Sequence, residues 1–168
     1  MIVPVPSSQK LAEPRRFPKA WVPLVLDPDA LLAALRSSLP EADLRAAEIT
    51  GVKYRPGLKC LVGYRLDVAG STVELYAKAR RSDAHGRGPG LRQKLIPPGP
   101  LGPGQIVLED RAILISFFPN DRKLKGLSGL ARTGCRQDLL RELMPDRPDL
   151  WEGEVRSIRY KPERRYVA

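Results

Sequence analysis

Three basic residues, Arg55, Lys59 and Lys78, lie in stretches where polar and apolar residues alternate, so each is a cation carried on a strand. A cation so placed can meet a phosphate. Most other chemistry is poorly provided for. A nucleophile–histidine triad or a histidine-rich metal site would have to pass through the one histidine, His85, which sits in a Gly/Arg-rich stretch. Cys60 and Cys135 are far apart and fit no paired-cysteine spacing, which gives neither a disulfide framework nor a zinc site a basis, and both read as reduced structural thiols. No residue is assigned a catalytic or metal-binding role.

The elements that must position these cations follow from periodicity. Around Lys53–Arg55 apolar and basic residues alternate, and Pro56-Gly57 supplies a turn. The next strand places Cys60, Val62, Tyr64 and Leu66 on one face. After a turn at Ala69-Gly70, Val73, Leu75, Ala77 and Ala79 face the core while Tyr76 and Lys78 point the other way. Taken alone, Lys78 reads as an exposed strand lysine. The prediction is an α+β fold with a five-stranded, mainly antiparallel sheet over about residues 48–55, 59–68, 72–80, 105–109 and 111–118. The strand at 111–118, apolar on both faces, should be covered or central. Helices are predicted at 29–38 and 135–144, the second with Leu139, Leu140 and Leu143 as its stripe. Residues 1–26 read as an irregular, proline-rich lead-in, 81–104 as a Pro/Gly/Arg connection with a short helix near Gly90–Leu95, and a last strand as starting near Glu154. The expected organisation is a lead-in and helix (1–45), a sheet domain (46–134), then a helix and the start of a repeat (135–168).

With 168 residues the chain has enough length for one core. Its formal charge of +10 is concentrated between residues 51 and 104, which carry +7. A field of that sign favours anionic partners, polyanions or phosphates. No apolar run approaches the ~18 residues of a membrane span, and the opening residues lack a signal-peptide core, so no membrane partner and a cytoplasmic location are expected.

The segment VKYRPGLKCLV (52–62) realigns with IRYKPERRYVA (158–168) at an offset of 106, with identical Tyr and Pro and like-for-like basic residues at Lys53/Arg159, Arg55/Lys161 and Lys59/Arg165. The expectation from this match is the start of a second, truncated copy of the meander, whose last strand should fray or add to the first sheet.

VKYRPGLKCLVGYRL, VELYAKAR and SFFPNDRKLKGL, followed by IRYKPERRYVA, resemble the front part of the aminoglycoside/choline phosphotransferase family, whose fold is kinase-like. The resemblance covers about residues 46–168 and implies a kinase-like N-terminal lobe. It implies ATP and magnesium as cofactors, and it makes Lys78, in Tyr76-Ala77-Lys78, the residue that holds nucleotide phosphates, with Arg55 and Lys59 as secondary contacts. Three departures argue against catalysis by this chain alone. Residues 80–104 contain no glutamate to orient Lys78, Arg55-Pro56-Gly57-Leu58 is a poor phosphate cradle, and His85-Gly86-Arg87-Gly88 does not match the catalytic loop. Pro119-Asn120-Asp121-Arg122 reads as turn chemistry, with Asp121 and Arg122 lining an interlobe cleft as the functional version.

The expected function is therefore that of an N-lobe-like part of an ATP-dependent small-molecule phosphotransferase-like protein, whose partner is a C-terminal catalytic lobe or another protein. The alternatives are a non-catalytic partner-binding domain and a basic β-sheet nucleic-acid module. The latter would use Arg55, Lys59, Arg65, Lys78, Arg80, Arg81 and Arg87, with Tyr54, Tyr64 or Tyr76 for stacking.

Overall fold

A computed structural model describes residues 21–56, 59–80, 98–108, 112–130 and 132–168, without the side chains of 21–23 and 80. The first twenty residues, the Gly90–Leu95 helix and His85 lie outside the described residues.

Strands β1 (Leu44–Arg55), β2 (Lys59–Val68), β3 (Ser71–Arg80), β4 (Gln105–Leu108) and β5 (Ile113–Phe117) form one sheet in the order β1-β2-β3-β5-β4, with every neighbouring pair antiparallel. The fold is α+β, as the alternation predicts. Strand β1 begins earlier than expected, because Leu44 is buried and pairs with Val68 at the far end of the ladder. Between β2 and β3 the chain reverses at Ala69 and Gly70, both at positive φ, and the Asp67 carboxylate accepts from the Gly70 amide. Strand β5 lies between β3 and β4, so both of its edges are paired.

The sheet buries both faces, for different reasons. On one face Cys60, Val62, Tyr64 and Leu66 of β2 meet Val73, Leu75, Ala77 and Ala79 of β3 and Ile113, Ile115 and Phe117 of β5, as the period of two requires. Helices α1 (Trp21–Leu26) and α2 (Pro28–Ser38) cover them. Helix α2 starts where Asp27 accepts from the Asp29 and Ala30 amides with Pro28 in the first turn, and it buries Leu31, Leu32 and Leu35. Helix α1 replaces the irregular chain expected there. The Tyr64 hydroxyl donates to its Val25 carbonyl at 2.7 Å, and Leu24 and Val25 complete the core.

The second face is the one that carries Lys78. Leu61 and Tyr76 on it pack with Leu127 and Tyr160, bordered by Phe118, Leu124, Leu130 and Tyr166. These come from helix α3 (Leu127–Leu130), from the chain after β5, and from a hairpin of β6 (Arg159–Lys161) and β7 (Arg165–Val167). Phe118 meets the rings of Tyr160 and Tyr166, each at 5.3 Å between centroids. The last strand thus neither frays nor joins the first sheet; it pairs within its own hairpin, and it starts later than Glu154.

The hairpin also repeats the pairing at the tip of β1–β2. An offset of 106 carries Lys53↔Leu61, Tyr54↔Cys60 and Arg55↔Lys59 onto Arg159↔Val167, Tyr160↔Tyr166 and Lys161↔Arg165. The sequence match is therefore also a match of register.

Helix α4 (Thr133–Leu143) departs from expectation in packing, not position: Leu139 and Leu140 are half-buried and Leu143 is exposed, because the helix packs mainly against the short helix α3. Cys60 is buried in the core, whereas Cys135 on α4 is exposed; both are free thiols. No helix among the described residues is long and apolar enough to cross a membrane.

Candidate functional site: a buried lysine–glutamate pair beneath the hairpin

Strand alternation puts Lys53 and Arg55 of β1, Lys59 of β2 and Lys78 of β3 on the second face. Arg55 is opposite Lys59, and Lys78 is opposite Leu61, two residues from Lys59, so Lys59 and Lys78 are diagonal neighbours. The three predicted site residues therefore share one corner of the sheet. They differ in access: Arg55 is exposed, the Lys59 side chain is 19% exposed and that of Lys78 only 4%. The exposed strand lysine expected at position 78 is not found, because the hairpin covers it.

The hairpin brings a carboxylate. Glu163, in the turn between β6 and β7, has a side chain 1% exposed; its Oε1 accepts from Lys78 Nζ, and its Oε2 lies 3.7 Å from Lys59 Nζ. Oε2 is buried and has no hydrogen-bond partner, so this carboxylate is only half satisfied. Burial pushes the Glu163 carboxyl up, but the hydrogen bond and charge of Lys78, followed by the charges of Lys59 and Lys123, outweigh it and hold the group below the usual range. Lys59 is shifted down, first by burial, which Glu163 opposes, and then by Lys123, Lys53 and Arg55. Among the described residues the corner thus gathers Lys53, Arg55, Lys59, Lys78 and Lys123 around one buried glutamate.

Asp121 sets the position of that glutamate. Its Oδ1 accepts from the Lys123 and Leu124 amides at 2.7 and 3.0 Å, which is the turn chemistry read from Asn-Asp. Its Oδ2 accepts from the Tyr160 hydroxyl at 2.8 Å and the Glu163 amide at 2.7 Å, which ties the turn after β5 to the hairpin. Burial and the adjoining Asp121 charge push the Tyr160 hydroxyl strongly up, so it remains a proton donor. Glu163 itself has φ of 54°, a left-handed conformation that costs a residue with a Cβ roughly 1–3 kcal/mol. The repeat offset places it opposite Gly57, the residue type suited to that conformation. Close approach is helped by Gly63, whose missing Cβ would lie 2.8 Å from Thr50 Oγ1 and 3.3 Å from Pro162 Cγ.

Sequence reasoning missed Glu163, since the pairing carboxylate was sought on a helix after the third strand. It missed Tyr160 too. Offset alignment held the one available signal, a glutamate in place of a turn glycine in a copy otherwise alike in charge. Among the stacking candidates Tyr64 and Tyr76 are both 1% exposed, which leaves only Tyr54 at the surface, 48% exposed. A hollow of about 150 Å³ at the other end of the β1–β2 ladder, lined by Ala46, Glu48, Arg65 and Asp67 among others, lies away from this corner.

As for the cofactors that the resemblance implies, Lys59 and Arg55 can meet a phosphate from the rim, but Lys78 is enclosed. The described residues contain no group of three or more His, Cys, Asp or Glu that could hold a metal ion. No family model, curated protein or solved structure matches the chain.

Proposed function

We propose that this chain is an N-lobe-like part of an ATP-dependent small-molecule phosphotransferase-like protein, not catalytic alone, in which Lys78, Lys59 and Arg55 form the phosphate-binding corner. The observation that carries the reading is the buried pairing of Lys78, on the third strand of an antiparallel sheet, with a carboxylate. The family resemblance leads one to look for such a pair, though on a different element. The excess of cations around Glu163 supports the anionic ligand class independently of any resemblance. The nucleic-acid reading lacks a comparable feature, since the burial of Tyr64 and Tyr76 removes two of its three stacking candidates.

Equilibrium binding of ATP at low salt, without metal, tests the proposal in the whole chain. An Arg55→Met/Lys59→Met variant is expected to bind about tenfold more weakly than wild type, the loss of two charge-assisted contacts at a half-exposed site. Equal affinity would place the nucleotide elsewhere.

A further inference from the structure

Lys78 is enclosed, and its ammonium donates to a carboxylate that is itself enclosed. A glutamate that only oriented the lysine would leave part of the ammonium open to a ligand. Here the hairpin closes over both groups. The same carboxylate reaches toward Lys59, so Glu163 stands where an anion bridging the two lysines would stand.

We propose that the β6–β7 hairpin is a strap and that the Glu163 carboxylate is an internal counter-ion, which a phosphate-class anion must displace to reach Lys78 and Lys59. The inference rests on the phosphate-binding reading above and adds the regulation of that site. Four observations support it. Glu163 Oε2 is buried without a hydrogen-bond partner, so the surroundings satisfy the seated carboxylate incompletely and displacing it costs less than displacing a fully bonded one. The turn holds Glu163 at φ of 54°, a strained position for a residue with a Cβ, so the carboxylate is kept in place at a cost. The strap is short, with three residues in each strand, so beyond the ring packing of Tyr160 and Tyr166 it depends on its anchors. Its second anchor, Asp121 with the Tyr160 hydroxyl and the Glu163 amide, is separate from the lysines, so exchanging the carboxylate for a phosphate frees one anchor and leaves the other as a hinge. Exchange involves no covalent step: one anion replaces another at two ammonium groups.

Inorganic tripolyphosphate is the probe, titrated calorimetrically at low salt into the full chain. Under this proposal Glu163→Gln binds it at least about tenfold more tightly than wild type, because the ligand no longer has to displace a carboxylate from Lys78 and Lys59. The ligand also raises the melting temperature of this variant more than that of wild type. Tyr160→Phe, which loosens the other anchor and leaves every charge in place, tightens binding by a smaller factor. Adding Lys78→Met to Glu163→Gln abolishes the gain. A folded Glu163→Gln variant that binds as wild type does, or more weakly, overturns the strap and makes Glu163 a positioning residue for Lys78, while the phosphate site stands. If wild type and all variants fail to bind, the phosphate site itself falls and the strap with it. Should Glu163→Gln not fold, Tyr160→Phe decides by the same criterion.

Discussion

Lys78 and Glu163 are 85 residues apart in the chain and form an ion pair with 4% and 1% of their side chains exposed. Neither strand propensity nor local packing requires such a pair. Burying two charges is costly unless geometry and further hydrogen bonds compensate, and removing one partner typically costs about 3–5 kcal/mol because the other is left unpaired.

That asymmetry gives the first prediction. Lys78→Met and Glu163→Gln each lower stability by about 3 kcal/mol or more, whereas the apolar double replacement Lys78→Met/Glu163→Leu restores most of the loss. Denaturant unfolding of the four proteins measures this, and additive losses in the double variant would contradict it.

A pH dependence follows from the depressed Glu163 carboxyl. Its folded value lies below the unfolded value of about 4.3, so its stabilisation is complete above the unfolded value and is lost as pH falls through the folded one. Melting temperatures of wild type and Glu163→Gln should therefore converge as pH is lowered from about 5 to about 3. A constant gap across that window would mean that the Glu163 charge contributes nothing to stability.

Gly63 permits the hairpin turn to sit on the sheet. Gly63→Ala puts a methyl against Thr50 and the Pro162 ring, at an expected cost of about 1–3 kcal/mol, and it disturbs the turn that carries Glu163. Amide exchange read by mass spectrometry should show faster exchange across 158–167 and unchanged exchange in β2 and β3. Uniformly faster exchange would indicate that the hairpin and sheet open together.

Asp121 accepts from two backbone amides in its own turn, from the Tyr160 hydroxyl and from the Glu163 amide, so its oxygens are engaged in holding structure and not in taking a proton from a substrate. His85-Gly86-Arg87-Gly88 does not match the catalytic loop of the family that the sequence resembles. The chain should release no phosphate from radiolabelled ATP with magnesium present. Turnover that survives purification and disappears in Asp121→Asn would place an active site at that turn.

Oligonucleotide binding separates the charge of the corner from base recognition. With Tyr64 and Tyr76 buried, affinity near physiological salt should be no tighter than roughly micromolar, and Tyr54→Ala should change it little. Sub-micromolar binding lost in Tyr54→Ala would favour the nucleic-acid module.

The sheet was legible in the sequence because period-two alternation is a local signal, and it placed each of Cys60, Val62, Tyr64, Leu66, Val73, Leu75, Ala77 and Ala79 on the core face. Helix α1 was not legible, since Pro23 lies inside it and its leucine and valine bury against a sheet that is remote in sequence. The basic corner was half legible. Arg55, Lys59 and Lys78 follow from strand register, but their counter-ion arrives on a hairpin placed by Asp121 and Tyr160, contacts of 42 and 39 residues' separation that leave no periodic trace.

Lysine acetylation followed by mass spectrometry, with and without tripolyphosphate, tests the phosphate-binding corner most directly. Lys59 should react in the free protein and be protected by the polyanion, while Lys125, exposed after β5, reacts equally in both states. Equal reactivity of Lys59 with and without saturating tripolyphosphate would contradict the assignment of this corner as a phosphate site.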